Sequence, residues 1–535
     1  MPDFAVILKK GAPSADDCCP KGQVTSVSRI FYSALLAGLF LPALSFAQPF
    51  DRGDLTEREN ERRMAELLPN FRTSLQGDSV DAQRATLTLL LQMVPDMSDT
   101  SDRSSFDATY NIRNNISPHL VTFLKRRTSD PVAIALAIKA LGQCLPAADD
   151  VKQLFTPLAS SPHSEIRQAI SVASGSLVNN AAVLLNDSVM RLNPLRGRDP
   201  NYFANVTNVV LPFLGTALED SDSKARVAAA DAFRTVARVF TQFSRITTQF
   251  SLSELLPAEK VEEKRKAIEP LFKIIGEQMV HFTSLLRSSD RRVALSALEK
   301  LAVLRRSLSD NPNSLAMAQP LDEAFRKLSP LLLELRHEAD PQIRLALVES
   351  VEPLDRKLIP KNLLLDSSKD PNLFVRWASV RALGMHAPRE MDDDIPSEIA
   401  TLAHVLRDTD VDVRISASSA LARYGSLGKP ASSELANMAK KGDVEPRVSA
   451  IRTLNLVKAD AEIAVPAMIL ALEHDDVRLQ RAAAIALKDY GPAAKEALLG
   501  LRKALKVDDP ELRTAAAAAI FAIELPPPPK KPREI

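Results

Sequence analysis

The stretch DVDVRISASSAL, residues 410–421, returns as DVEPRVSAIRTL, DVRLQRAAAIAL and DPELRTAAAAAI. Its basic residue marks a slot, and Arg414, Arg447, Gln480 and Arg513 lie 33 residues apart each time. Three positions after the slot stands a small residue (Ala417, Ala450, Ala483, Ala516), and seven after it a larger apolar one (Leu421, Leu454, Leu487, Ile520). Residues at these spacings share one face of a helix. A repeat of this period is a supersecondary unit too small to bury its apolar face alone. Stacking of neighbours then makes the core, and that fixes what the chain can fold into.

Upstream, Arg376, Arg344, Arg291, Arg226, Arg167, Ile134 and Arg84 take the slot, and Ser174 breaks the apolar rule at the seventh position. Each slot has a proline before it, from Pro69 and Pro118 through Pro330 and Pro396 to Pro492. Proline has a fixed φ and no N–H, which suits a first helical turn, so it predicts the start of a helix A. An acidic turn such as DTDVD or EHDD follows and predicts the cap of a helix B. The expected fold is all-α, an α-solenoid of stacked antiparallel helix pairs. With 16 Gly and 5% aromatic residues, a strand-rich sandwich or barrel is a poor fit, and 45% hydrophobic residues exclude wholesale disorder.

Successive slots are separated by 50, 33, 59, 65, 53, 32, 38, 33, 33 and 33 residues. Regular repeats are therefore expected over 330–524 and irregular ones with long loops over 69–329, after a lead-in helix at 48–68. Polar stretches at 96–115 and 190–208 read as loops. LPPPPKKPREI (525–535) reads as a disordered polyproline tail.

A proline-started helix followed by D-x-x-V-R-x-x-A-x-x-A-L resembles HEAT repeats, particularly the short bacterial kind, over about Pro69 to Glu524. The resemblance implies that the Asp and Arg form ladders between units. It assigns that structural role to Arg344, Arg376, Asp412 with Arg414, Glu445 with Arg447, and Asp509 with Arg513, with interruptions at Ile134 and Gln480. Similar bacterial repeats occur in bilin lyases and in alkylpurine DNA glycosylases, but nothing in the sequence marks a bilin pocket.

Charge argues against nucleic acid as a partner. The chain has 68 Lys+Arg against 67 Asp+Glu, and residues 402–524 hold 17 of each. No CxxC, HExxH, GxSxG, Walker A or GxGxxG motif occurs, so catalytic, cofactor-binding and metal residues are all expected to be absent. Asp392, Asp393 and Asp394 lack the ligand alternation of a calcium loop. Cys144, in KALGQCLP, reads as a small buried hydrophobe.

RIFYSALLAGLFLPALSFAQ resembles a secretory signal. Arg29 is its basic flank, Ile30 to Leu44 its apolar run, and Ser45-Phe46-Ala47 its cleavage site before Gln48. That predicts export to the periplasm or outside, with no membrane span once residues 1–47 are removed. An uncleaved signal anchor is the alternative. The functional expectation is a non-catalytic scaffold that binds a protein partner through a concave row of B helices. The alternative is a lyase-like or enzyme-associated subunit with a ligand pocket in the irregular half. The long intervals between Arg167 and Arg291 hold Tyr202, Phe203, Phe240, Phe243 and Phe250. Phe240 and Phe243 suit a buried helical face, whereas Tyr202, Phe203 and Phe250 are candidates for partner contact.

Overall fold

The computed structural model describes residues 68–93, 103–126, 129–190, 201–249, 258–308, 314–388, 390 and 394–525. The expected signal, Phe250 and residues 526–535 of the proline-rich tail lie outside them. Every regular element among the described residues is a helix. After a helix at 68–76 come α1 (Val80–Met93), α2 (Arg103–Lys125), α3 (Pro131–Gln143), α4 (Ala148–Leu158), α5 (Ser164–Met190), α6 (Tyr202–Ala217) and α7 (Ser223–Gln249). Next are α8 (Ala258–Gln278), α9 (Phe282–Leu286), α10 (Arg291–Ser307), α11 (Leu315–Leu335), α12 (Pro341–Val351), α13 (Leu363–Ser367) and α14 (Leu373–Met385). The series closes with α15 (Ile395–Val405), α16 (Val411–Arg423), α17 (Ser432–Lys440), α18 (Val444–Leu456), α19 (Ala461–Leu472), α20 (Val477–Tyr490), α21 (Leu498–Ala504) and α22 (Pro510–Glu524).

The chain divides into two compact units, Met1–Ala140 and Leu141–Ile535. In the first, Arg84 of α1 forks onto Asp130 at the start of α3, at 2.8 and 2.6 Å. In the second, α5, α7, α10, α12, α14, α16, α18, α20 and α22 pack in series as one layer of B helices. Behind them α4, α6, α8 and α11 pack in series, as do α15, α17, α19 and α21.

The repeat register explains this layering. The residue three positions after the slot is buried in every B helix, from Leu87 and Ala137 to Ala483 and Ala516. Most are alanine, and small side chains let helix backbones approach closely. Ser174, which breaks the apolar pattern, is buried as well. Capping follows the acidic turns: the side chains of Asp340, Asn372, Asp410, Asp476 and Asp509 accept backbone N–H groups at the starts of α12, α14, α16, α20 and α22.

Two expectations need correction. Pro118, Pro157, Pro212, Pro270, Pro330 and Pro466 lie inside A helices, not at their starts. A proline in a helix interior costs about 3 kcal/mol and bends the helix. The A helices bear that cost because their apolar faces are buried against neighbours on either side. The polar stretch 96–115 is not a loop throughout, since α2 begins at Arg103. Likewise α6 begins at Tyr202, inside the expected loop 190–208. Cys144 is fully buried. Ser164–Leu185 is a stretch long and apolar enough to cross a membrane, and most of it is buried within the second unit.

Candidate partner-binding face

The slot arginines form a relay along the edge of the second unit. Arg376 donates through Nε and Nη2 to both oxygens of Asp408 in the next unit's turn, at 2.7 and 2.9 Å. Its Nη1 reaches back to the carbonyl of Asp370, at 3.0 Å. The Asp370 side chain in turn receives Arg344, at 2.6 and 2.9 Å, and the Asp408 carbonyl receives Arg414, at 2.8 Å. Arg167, Asp220, Arg226 and Asp290 repeat the pattern. Each guanidinium therefore ties its own turn to the next one. Burial alone would raise the pKa of Asp220, Asp290 and Asp408. The hydrogen bonds from Arg167, from Ser223 with Arg226, and from Arg376 outweigh it and hold all three below the usual carboxylate range.

The expected acid partners are different ones. Asp412 is exposed on α16 while Arg414 pairs with Asp443, and Glu445 pairs with Arg478. Helical residues two apart do not face each other, so neither Asp412 with Arg414 nor Glu445 with Arg447 can close a pair. Arg447 is buried and donates to the carbonyl of Ala439, at 2.9 Å. Asp509 caps α22 and takes Arg481, at 2.9 Å. Arg513 reaches the Val507 carbonyl, at 3.0 Å, and Asp508, at 3.4 Å. At Gln480 the relay is not lost: its amide keeps the bond to its own turn, at 2.6 Å to His474, while Arg481 supplies the inter-unit ion pair.

The proposed contact aromatics are core. Tyr202 is 7% and Phe203 3% exposed. The Tyr202 hydroxyl donates to the Pro146 carbonyl, at 2.8 Å, and the Phe203 ring packs on Phe240 and Phe243, at 5.5 and 5.2 Å. The first turn of α6 carries both inward, which removes them as a surface for a partner.

Among the described residues, Phe374, Trp377 and Phe521 are the exposed aromatics. Phe374 is 58% and Trp377 36% exposed, one helical turn apart on α14. Trp377 is the only tryptophan in the chain. It stands one position after the slot, where the neighbouring B helices carry Leu345 and Ile415, both partly exposed. The result is an apolar ridge across α12, α14 and α16. Arg381, one turn further on, stacks over the Trp377 ring at 4.7 Å and pairs with Glu352 at 2.5 Å. Glu349 lies beside this group, and burial, with Glu299 nearby, pushes its pKa up. The sequence signal was available in the lone tryptophan and its offset from the slot, but no motif drew attention to it.

Among the described residues no group of three His, Cys, Asp or Glu is placed to hold a metal. A cavity of about 430 Å³ opens between α15 and α17, with Ile399, Ala403 and Leu427 on its walls and His404, Arg407 and Glu434 among its polar groups. Another of about 330 Å³, in the first unit, is lined by Arg72, His119 and Arg126 over Leu75 and Phe123. Thr122 also lines the second, and its hydroxyl donates to the Pro118 carbonyl, at 2.8 Å.

Residues 328–422, which hold α12, α14 and α16, match the family described as HEAT repeats. The chain thus contains HEAT repeats. Its fold is similar to importin beta crystallised in a polyethylene glycol condition, with 14% identity and a TM-score of 0.53, over 88% of this chain and 62% of that one. For importin beta in an ammonium sulfate condition the values are 14%, 0.46, 87% and 58%. For Kap121p bound to the extreme C-terminus of the phosphatase Cdc14p they are 14%, 0.39, 88% and 50%. The chain thus spans less than two thirds of each of these structures. No curated protein matches the sequence.

Proposed function

We propose that this HEAT-repeat protein is a non-catalytic, exported scaffold that binds another protein through the B-helix face centred on Phe374 and Trp377. One observation carries this reading: the lone tryptophan is left at the surface, one helical turn from a second exposed aromatic on the same helix. Burying such a ridge is favourable, and Trp and Arg are the residues that most often dominate protein interfaces. The likeness to importin beta supports the fold on which such a face is presented. Export rests on Arg29, the apolar run and Ser45-Phe46-Ala47, and N-terminal sequencing of the exported protein is expected to begin at Gln48.

The lone tryptophan makes the test direct. Wild-type chain and Trp377→Ala, immobilised side by side, are challenged with the exported fraction. A protein held by the wild type and lost from the variant, with melting unchanged, is the expected result. Adding that purified protein should shift the Trp377 emission to shorter wavelength. Equal capture by both chains, or an unmoved emission, would sink the proposal.

A further inference from the structure

The third exposed aromatic, Phe521, sits on a face that no other helix among the described residues covers. In B helices α5 to α20 the residue four positions after the slot meets the next unit. Ser171, Ala230, Leu295, Val348, Val380, Ser418, Ile451 and Ala484 are all 0% exposed there. In α22 that position is Ala517, and it is exposed. Around it Thr514, Phe521 and Leu525 are exposed too, Phe521 by 68% and Leu525 by 46%. These residues form a stripe at helical spacing along α22. This last described unit keeps the small-residue pattern of the units before it, with no polar outer face. Arg513 shows the same incompleteness. Unlike Arg344 and Arg376, it forks onto no carboxylate of a following unit among the described residues.

We infer that α22 pairs with α22 of a second copy of this chain, antiparallel and about a two-fold axis. Self-complementarity selects this occupant. In the register that sets Phe521 over Ala517 of the other copy, Ala517 lies under the other Phe521, large against small on both sides. The same register brings Arg513 opposite Leu525 and beside Glu524 of the other copy. That carboxylate stands at the surface, held only by the exposed Arg502 at 2.9 Å. Arg513 then gains at each end an acid such as Arg344 and Arg376 find in the following unit. A single helix pair is at the small end of specific interfaces, so the dimer is weak and depends on concentration.

Sedimentation velocity over a concentration series tests it on the full chain. The wild type is expected to move from monomer to dimer, and Phe521→Glu, at a site already exposed, to stay monomeric with unchanged circular dichroism. Arg513→Glu is expected to weaken the dimer at least tenfold, and Arg513→Glu with Glu524→Arg to restore it. A wild type that stays monomeric throughout, a dimer indifferent to Phe521→Glu, or a double variant without rescue would each overturn the inference. So would a chain that dimerises only after residues 526–535 are deleted, since its own tail would then be the occupant.

Discussion

At the scale of single residues, the slot arginine does more than neutralise an acid. Its two ends bind different units, so its loss unties a turn and strands a carboxylate. How much this costs depends on how far water is kept out. The Arg376–Asp408 pair is 15% and 10% exposed, whereas Asp443, the partner of Arg414, is 67% exposed. Arg376→Ala is therefore expected to lower unfolding stability by about 1–3 kcal/mol. Arg414→Ala should cost less, about 1 kcal/mol, mostly through its turn carbonyls. Urea unfolding of the two variants decides the order, and an equal loss would show that solvent exposure does not grade the relay.

At the scale of helices, close approach is what the small residues achieve. Gly384 of α14 has no room for a side chain: a Cβ there would stand 2.9 Å from both Cα and Cβ of Ala420 on α16. Substituting alanine in a helix interior ordinarily stabilises by up to about 1 kcal/mol. Here the overlap with backbone should win, with a net loss of about 1–3 kcal/mol in Gly384→Ala. Thermal melting checks the sign, and an unchanged or raised midpoint would mean that the helices part without cost. The prolines inside the A helices make the complementary point. Local preference would end the helix there, yet burial on both sides keeps it intact.

At the scale of the whole molecule, the relay carboxylates set the response to acid. The Arg84 hydrogen bond lowers Asp130 to about 2, and Asp220, Asp290 and Asp408 are lowered as well. A depressed folded-state value means stability that is fully present above the unfolded value, near 4, and lost as pH falls towards the folded one. The protein is thus expected to keep its stability down to about pH 4 and to lose it progressively between about pH 4 and pH 2. Circular dichroism against pH follows this. Loss already complete at pH 5, where these carboxylates are ionised in both states, would place the sensitivity elsewhere.

The sequence by itself determined the repeat, its register and the helix pair behind it, because a fixed period with small residues three after a slot has one physical solution, a stack. The burial of Ala417, Ala450, Ala483 and Ala516 was legible for that reason. Acidic caps were legible too, since an N-cap is a local interaction. Three things were left to the tertiary structure. Which acid meets which arginine depends on the next unit, which is why Arg376 finds Asp408 and Arg414 does not find Asp412. Whether an aromatic is core or surface depends on which face its helix turns inward, which buried Tyr202 and Phe203 and left Trp377 outside. And α22, whose sequence looks like that of any other B helix, has an open face only because nothing among the described residues packs against Ala517 and Phe521. Periodicity records the shape of a contact, and only the packed chain decides whether the contact is filled.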